Sequence, residues 1–239
     1  MQFLFLWAQS LITEYKRLRR EDAMKIGIMG GTFDPIHNAH LMLAEYAYRE
    51  FALDEVWFMP NGNPPHKQSR KGRTGAAERV HMVRLAIAGN PAFRLEEYES
   101  SRSEISYSYQ TMEHFKEIYP EHHFYFIIGA DSLFALKEWV HPERLLKTCS
   151  ILAAYRDKMN RYDRMEAKIE ELNREYQADI RLLVTPAVST ASHELRRRVK
   201  EGGSIAQDVP EAVNAYILDH HLYWDSQDPS ELSDSAEGR

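Results

Sequence analysis

Two glycines, a hydroxyl and two histidines fall within the eleven residues Gly30-Gly31-Thr32-Phe33-Asp34-Pro35-Ile36-His37-Asn38-Ala39-His40, directly after the apolar run Lys25-Ile26-Gly27-Ile28-Met29. Residues without a Cβ let the backbone turn tightly and approach a bound phosphate, so Gly30 and Gly31 at the end of a strand suit an anion. The chain then turns helical, because Ala39 to Phe51 is rich in helix formers with Leu41, Leu43, Ala44, Ala47 and Tyr48 at helical spacings. A phosphate at that junction meets free amide groups and the positive end of a helix dipole. His37 and His40 are three apart, which puts them on one face if both lie in the first helical turn. A phosphate cradle with added charge-stabilising donors is what phosphoryl or nucleotidyl transfer requires, since there the protein mainly positions reactants and neutralises developing charge. The string is neither the GxxxxGK[ST] loop nor the GxGxxG fingerprint. Either histidine alone could equally be a cap or a surface residue; the whole string points to chemistry.

GTFDPIHNAH resembles the GTFDPxHxGH signature of the nucleotidyltransferase superfamily, which also contains the HIGH motif of class I aminoacyl-tRNA synthetases. Pro64-Pro65-His66-Lys67, Ser106-Tyr107-Ser108, Ile128-Gly129-Ala130-Asp131 and Trp139 narrow the resemblance to the bacterial nicotinate (nicotinamide) mononucleotide adenylyltransferases, over about Met24 to Trp224. The resemblance implies an enzyme of NAD biosynthesis that transfers the adenylyl group of ATP to nicotinate mononucleotide, giving deamido-NAD and pyrophosphate. It assigns catalysis to His37, His40 and Arg196. ATP would be held by Gly30, Gly31, Thr32, Phe33, Gly129, Asp131, Ser192 and Arg196, and the mononucleotide by Lys67, Tyr107, Ser108 and Trp139.

Each of these side chains also has a plainer reading. Lys67 brings a point charge to the mononucleotide phosphate or is a solvated loop lysine. Asp131 accepts from a ribose hydroxyl, caps the following helix, or does both. Trp139 stacks on the nicotinate ring or is an ordinary core or exposed tryptophan. In the family, backbone amides of the SYT segment hold the pyridine carboxylate, and these do not depend on the change of Thr to Ser108. No residue is assigned to a metal; Mg²⁺ is expected to arrive on ATP, because it prefers phosphates and water to a protein cage.

The chain departs from the family most at its second phosphate site. The family carries an ISSTxIR string at a helix start, and the resemblance puts its arginine at Arg196 and its second serine at Ser192, with His193 and Ala191 replacing Thr and the first Ser. Ser189 and Thr190 lie just upstream as alternative hydroxyls, and Arg197 and Arg198 follow. Ala39 also replaces the glycine between the two histidines, a change that favours helix by up to ~1 kcal/mol.

Alternating strands and helices must position these residues. Strands are expected at Lys25 to Met29, Glu55 to Met59, Phe93 to Leu95, Phe124 to Ile128, Ser150 to Ala154 and Ile180 to Val184. Helices are expected at Ala39 to Phe51, Ala76 to Ala88, Tyr109 to Tyr119 and Asp157 to Tyr176, the last with an apolar stripe through Met165, Ile169 and Leu172. The pattern predicts a Rossmann-like, doubly wound α/β fold: a mainly parallel sheet with helices on both faces and ligands at the carboxyl ends of the strands. Asn61 to Thr74, with two Pro, two Gly and five Lys, Arg or His, reads as a mobile basic loop.

The 239 residues suit one α/β domain, expected over 24–224. Residues 1–23 read as an N-terminal extension: a short basic amphipathic helix for a membrane surface or partner, or a misassigned start with Met24 as the first residue. Residues 225–239 read as an acidic disordered tail. With 30 Lys and Arg against 36 Asp and Glu, the net charge of −6 argues against broad nucleic-acid or anionic-membrane binding. The single cysteine, Cys149, sits in an apolar run and reads as a buried strand residue; one cysteine allows no internal disulfide, so a cytoplasmic setting is the default. No apolar stretch approaches the ~20 residues that span a bilayer. The partners implied are ATP and nicotinate mononucleotide, with self-association into a homo-oligomer left open. The rival readings are a nicotinamide mononucleotide, phosphopantetheine or glycerol-phosphate transferase and a non-catalytic nucleotide sensor. Hydrolase motifs such as GxSxG and HExxH are missing from the sequence.

Overall fold

Every expected strand forms. In the computed structural model, which describes residues 23–62, 74–155, 162–187 and 190–224, β1 (Lys25–Gly31), β2 (Glu55–Pro60), β3 (Phe93–Leu95), β4 (His123–Gly129), β5 (Ser150–Tyr155) and β6 (Ile180–Val184) make one sheet. Its order is β3-β2-β1-β4-β5-β6, and every neighbouring pair is parallel. That order is the doubly wound Rossmann arrangement, whose ligand crevice opens where the winding reverses, here between β1 and β4. The expected 1–23 extension (bar residue 23), the 225–239 tail, and Lys67 lie outside the described residues.

The strands' period of two sends alternate side chains into two separate cores. Met29, Val56, Phe58, Ile127 and Leu152 pack against α1 (Asn38–Glu50) and α2 (Ala76–Ile87) on one face, together with α7 (Ser192–Lys200) and α8 (Glu211–Asp219). Ile28, Trp57, Phe126, Ile128 and Ile151 pack against α3 (Ser108–Ile118), α4 (Ala130–Phe134), α5 (Pro142–Thr148) and α6 (Tyr162–Tyr176) on the other. Burying each such side chain is worth about 1.5–3 kcal/mol, which is why the strands read as near-continuous apolar runs. The stripe of α6 is buried at Met165, Ile169 and Leu172 as ordinary packing, although Tyr162 is exposed.

Two local expectations change. β1 continues through Gly30 and Gly31, which pair with Met59 and Pro60, so the glycines belong to the strand itself. Cys149 is not in a strand: it follows α5 as its C-cap, where burial pushes its thiol up to about 12. No described helix is long and apolar enough to cross a membrane.

Candidate active site

A cavity of about 570 Å³ opens at the carboxyl ends of β1 and β4. Its wall takes Gly30, Gly31, Thr32, His37 and His40 from the first motif, Gly129, Ser132 and Trp139 from the segment after β4, Ser106, Tyr107 and Ser108 from the start of α3, and Thr190, Ala191 and Ser192 from the start of α7. The volume suits a small-molecule site, for which about 300–1,000 Å³ is usual.

The two histidines are not both in the first turn of α1. His37 is the extended N-cap, at φ −145° and ψ 169°, and only His40 is helical. Their rings nevertheless stack, with centroids 3.7 Å apart and planes 23° from parallel. The His37 backbone N–H donates to His40 Nδ1 at 3.2 Å, so in the neutral imidazole Nε2 carries the proton. His40 thereby becomes an oriented donor, and the buried His37 ring backs it.

Phe33 is beneath the cradle rather than on the cavity wall. It is 2% exposed, meets His40 edge-on at 5.1 Å and lies against Phe58. Its φ of 50° is a backbone conformation that a bulky side chain adopts only when packing holds it there. A Cβ on Gly31 would come within 3.0 Å of the Phe33 ring, so this glycine makes room for the aromatic as well as bordering the cavity. From α2, the buried Arg79 donates to the carbonyls of Thr32 at 2.7 Å and Asn61 at 2.8 Å, clamping the turns that follow β1 and β2.

A second set of bonds ties the C-terminal part of the chain to the motif. Ser192 Oγ donates to the Pro35 carbonyl at 3.0 Å, and the Asn38 side-chain amide donates to the Gln207 carbonyl at 3.0 Å. Arg196 Nη1 donates to the Asp34 carbonyl at 2.6 Å, and Tyr223 OH donates to Asp34 Oδ1 at 2.8 Å. Asp34 is 2% exposed; its Oδ2 takes no hydrogen bond among the described residues and faces Arg196 Nη1 at 3.8 Å. Burial and the Asp34 charge push the Tyr223 phenol well up, which keeps it a donor.

These bonds correct the expectation at α7. Ser192 does not cap the helix: the N-cap is Ala191, without a side-chain cap bond, and the Ser192 hydroxyl is spent on Pro35. Thr190 lines the cavity, but its hydroxyl donates to Asp208 at 3.2 Å. Ser189 is outside the described residues. Of the three arginines, Arg197 pairs with Glu201 and Arg198 with Asp208, so Arg196 alone reaches the motif. It touches the loop beneath the cavity, not the cavity wall.

Gly129 is the N-cap of α4, which makes Asp131 a first-turn residue instead of the cap. Asp131 is exposed and off the cavity wall, where Ser132 takes the lining position. Tyr107 is the N-cap of α3 and Ser108 its first residue, so their amides belong to the unsatisfied start of a helix. Trp139 lines the cavity and meets Phe126 edge-on at 6.4 Å, so packing and ligand contact are compatible there.

Sequence reasoning passed over Asn61, Arg79 and Glu99. Arg79 carried a usable signal: it shares the buried stripe of α2 with Val80, Val83 and Ile87, where a charge needs a partner. Glu99, 6% exposed and on the cavity wall, carried none, since it is one of several acids between Glu96 and Glu104.

The model of the Cytidylyltransferase-like family matches residues 28–233. A protein of Lachnoclostridium phytofermentans named "Probable nicotinate-nucleotide adenylyltransferase" is 44% identical over 199 residues, covering 83% of this chain and 98% of the relative. A Desulfitobacterium hafniense protein of the same name is 40% identical, over 83% of this chain and 95% of its own length. Among solved structures, Plasmodium falciparum nicotinic acid mononucleotide adenylyltransferase complexed with NaAD superposes with a TM-score of 0.69 at 23% identity, over 84% of this chain and 97% of that one. This last likeness concerns the fold.

Proposed function

The chain belongs to the cytidylyltransferase-like family and, within it, to the nicotinate-nucleotide adenylyltransferases, and from that premise we propose how its cavity works. The enzyme joins nicotinate mononucleotide to the adenylyl group of ATP in NAD biosynthesis. A 5′-phosphate oxygen of the mononucleotide attacks the α-phosphorus in line, the new P–O–P bond forms, and the bond to the β-phosphate breaks to release pyrophosphate. No covalent enzyme intermediate is needed.

The observation that carries this reading is the oriented His40. With Nδ1 accepting from the His37 backbone, the ring proton is on Nε2, and that N–H donates to oxygen on the α-phosphate, where charge builds in the transition state. The amides at the start of α7 receive the departing pyrophosphate, and the guanidinium of Arg196 adds its charge from the loop beneath the cavity. One of the five N–H donors of Arg196 is spent on Asp34, and the others remain for phosphate oxygens. Gly30, Gly31, Thr32 and Gly129 border the nucleotide, Phe33 supports it from below, and Asp131 contacts it from the exposed start of α4. The amides of Tyr107 and Ser108 take the pyridine carboxylate, Trp139 stacks on the ring, and Lys67 takes the mononucleotide phosphate.

Among the described residues, no three His, Cys, Asp or Glu side chains gather as a metal site. Mg²⁺ enters as part of the nucleotide substrate and supplies charge neutralisation on its phosphates. We place the transferase domain at residues 24–224 and the enzyme in the cytoplasm.

The test is pyrophosphate release with Mg-ATP and, separately, nicotinate mononucleotide, nicotinamide mononucleotide and phosphopantetheine. Release with the first is expected. Release only with another overturns the substrate assignment, and none with any of them favours a nucleotide sensor.

A further inference from the structure

The wall of the cavity nearest the start of α3 holds a carboxyl group that the transfer chemistry does not use. Glu99 is 6% exposed and borders the cavity together with Asn61, Ser106, Tyr107 and Ser108. Both its main chain and its side chain are held. A Cβ on Gly62 would sit 2.2 Å from the Glu99 carbonyl oxygen, so the turn after β3 and the turn after β2 are pressed together at this point. Thr111 Oγ1, in the buried first turns of α3, donates to Glu99 Oε1 at 2.8 Å. The second oxygen, Oε2, takes no hydrogen bond from any described residue.

A carboxyl group withdrawn from bulk water is costly, and burial indeed raises its pKa above the ordinary carboxylate value, with Thr111 opposing. A fold that fixes one oxygen of a cavity-lining carboxyl and leaves the other without a bond among the described residues has the makings of an acceptor for a ligand. An ionised carboxyl accepts hydrogen bonds and cannot donate them. Nicotinate mononucleotide carries two ionised acceptor groups, its phosphate and its pyridine carboxylate, and neither can donate a hydrogen bond to a carboxylate. Its hydrogen-bond donors are the two ribose hydroxyls.

We propose that Glu99 is a binding residue for the mononucleotide's ribose, its Oε2 accepting a hydrogen bond from a ribose hydroxyl while Thr111 holds Oε1. The inference rests on the reading of the cavity as a nicotinate mononucleotide site. Repulsion by the same carboxylate directs the substrate's phosphate away from this wall.

The experiment compares nicotinate mononucleotide with its 2′-deoxy and 3′-deoxy analogues, using the full chain and Mg-ATP. For the wild type, one deoxy analogue is expected to lose about tenfold or more in kcat/KM, the worth of one hydrogen bond to a charged group. In the double variant Glu99→Met, Thr111→Val, both partners of the buried bond become apolar, a change that can leave stability nearly intact. There the preference should shrink to about twofold or less, mainly through KM. Thr111→Val alone keeps the carboxylate and should keep most of the preference. If circular dichroism shows the double variant unfolded, Glu99→Gln decides: losing the charge on the acceptor should narrow the preference several-fold. A folded variant that discriminates as the wild type does overturns the proposal, and so does a wild type indifferent to both hydroxyls. A wild type inactive with nicotinate mononucleotide overturns instead the reading of the cavity itself.

Discussion

Of the helix starts that border the cavity, those of α1 and α7 are built in opposite ways. At α1 the functional groups are locked locally: His37 and His40 are stacked, and one backbone hydrogen bond three residues away sets the His40 tautomer. At α7 nothing local does this work. Ala191 is a poor cap, Ser192 is turned onto Pro35, and Arg196 is placed by the Asp34 carbonyl, 162 residues distant in the chain. The end we assign to the α-phosphate is preorganised by its own sequence, while the end we assign to the pyrophosphate depends on tertiary tethers. Two of the altered residues, Ala191 and His193, are at the tethered end, and a third, Ala39, is at the locally locked one.

Removing the local donor should have the largest effect. His40→Ala is expected to lower kcat by about 10²-fold or more, read by steady-state pyrophosphate release, as for loss of one transition-state donor. Turnover near the wild type would break the comparison, because the preorganised end would then contribute nothing. Next comes the tethered cation: Arg196→Met should cost roughly tenfold to a hundredfold in kcat/KM for ATP. Arg197→Met, whose side chain pairs with Glu201 at the surface, should leave it unchanged. Equal effects at both positions would mean that the contact with Asp34 has no bearing on function.

The tethers themselves are tested by stability. Tyr223→Phe strips a hydrogen bond from the buried Asp34 carboxylate and should cost about 1–3 kcal/mol, seen as a lower Tm. Ser192→Ala removes a bond to a carbonyl and should cost about 1 kcal/mol or less. A larger loss at Ser192 than at Tyr223 would reverse the ranking of the two tethers.

The smallest expected effect is a control at the opposite end of the sheet. His122 is buried just before β4, and burial lowers its pKa from 6.5, helped by Lys116 and opposed by Glu55 and Asp54. The unfolded chain therefore binds a proton at this residue more readily than the folded one. The contribution to stability is intact above pH 6.5 and is lost as pH falls from there through the lower folded value. His122→Gln should flatten that acid limb in thermal melts without altering turnover, and an unchanged limb would assign the pH dependence elsewhere.

How much of this was legible beforehand follows the same division. The strands could be read because burial on both faces forces long apolar runs, and the two glycines that end β1 lie just beyond its apolar run. The first motif could be read because its parts are contiguous. Thr190, Ser192 and the three arginines could be placed near a helix start, but which arginine turns inward depends on Glu201 and Asp208, whose positions no local pattern specifies. Asn61 and Glu99 were invisible for a related reason: each is a polar residue in a turn, and only the packing of one turn against the other buries Glu99.

By itself, then, the sequence determined the parallel α/β sheet, the place of the phosphate cradle and the family to which the chain belongs. These depend on periodicity and on short-range spacing, which the chain carries with it. Only the tertiary structure decided that Gly31 makes room for Phe33, that Ser192 serves Pro35 and not the helix, and that Arg196 is the arginine held against the motif. Those outcomes come from side chains far apart in the chain competing for the same hydrogen-bonding groups and the same space, and that competition is settled only when the two faces of the sheet are packed.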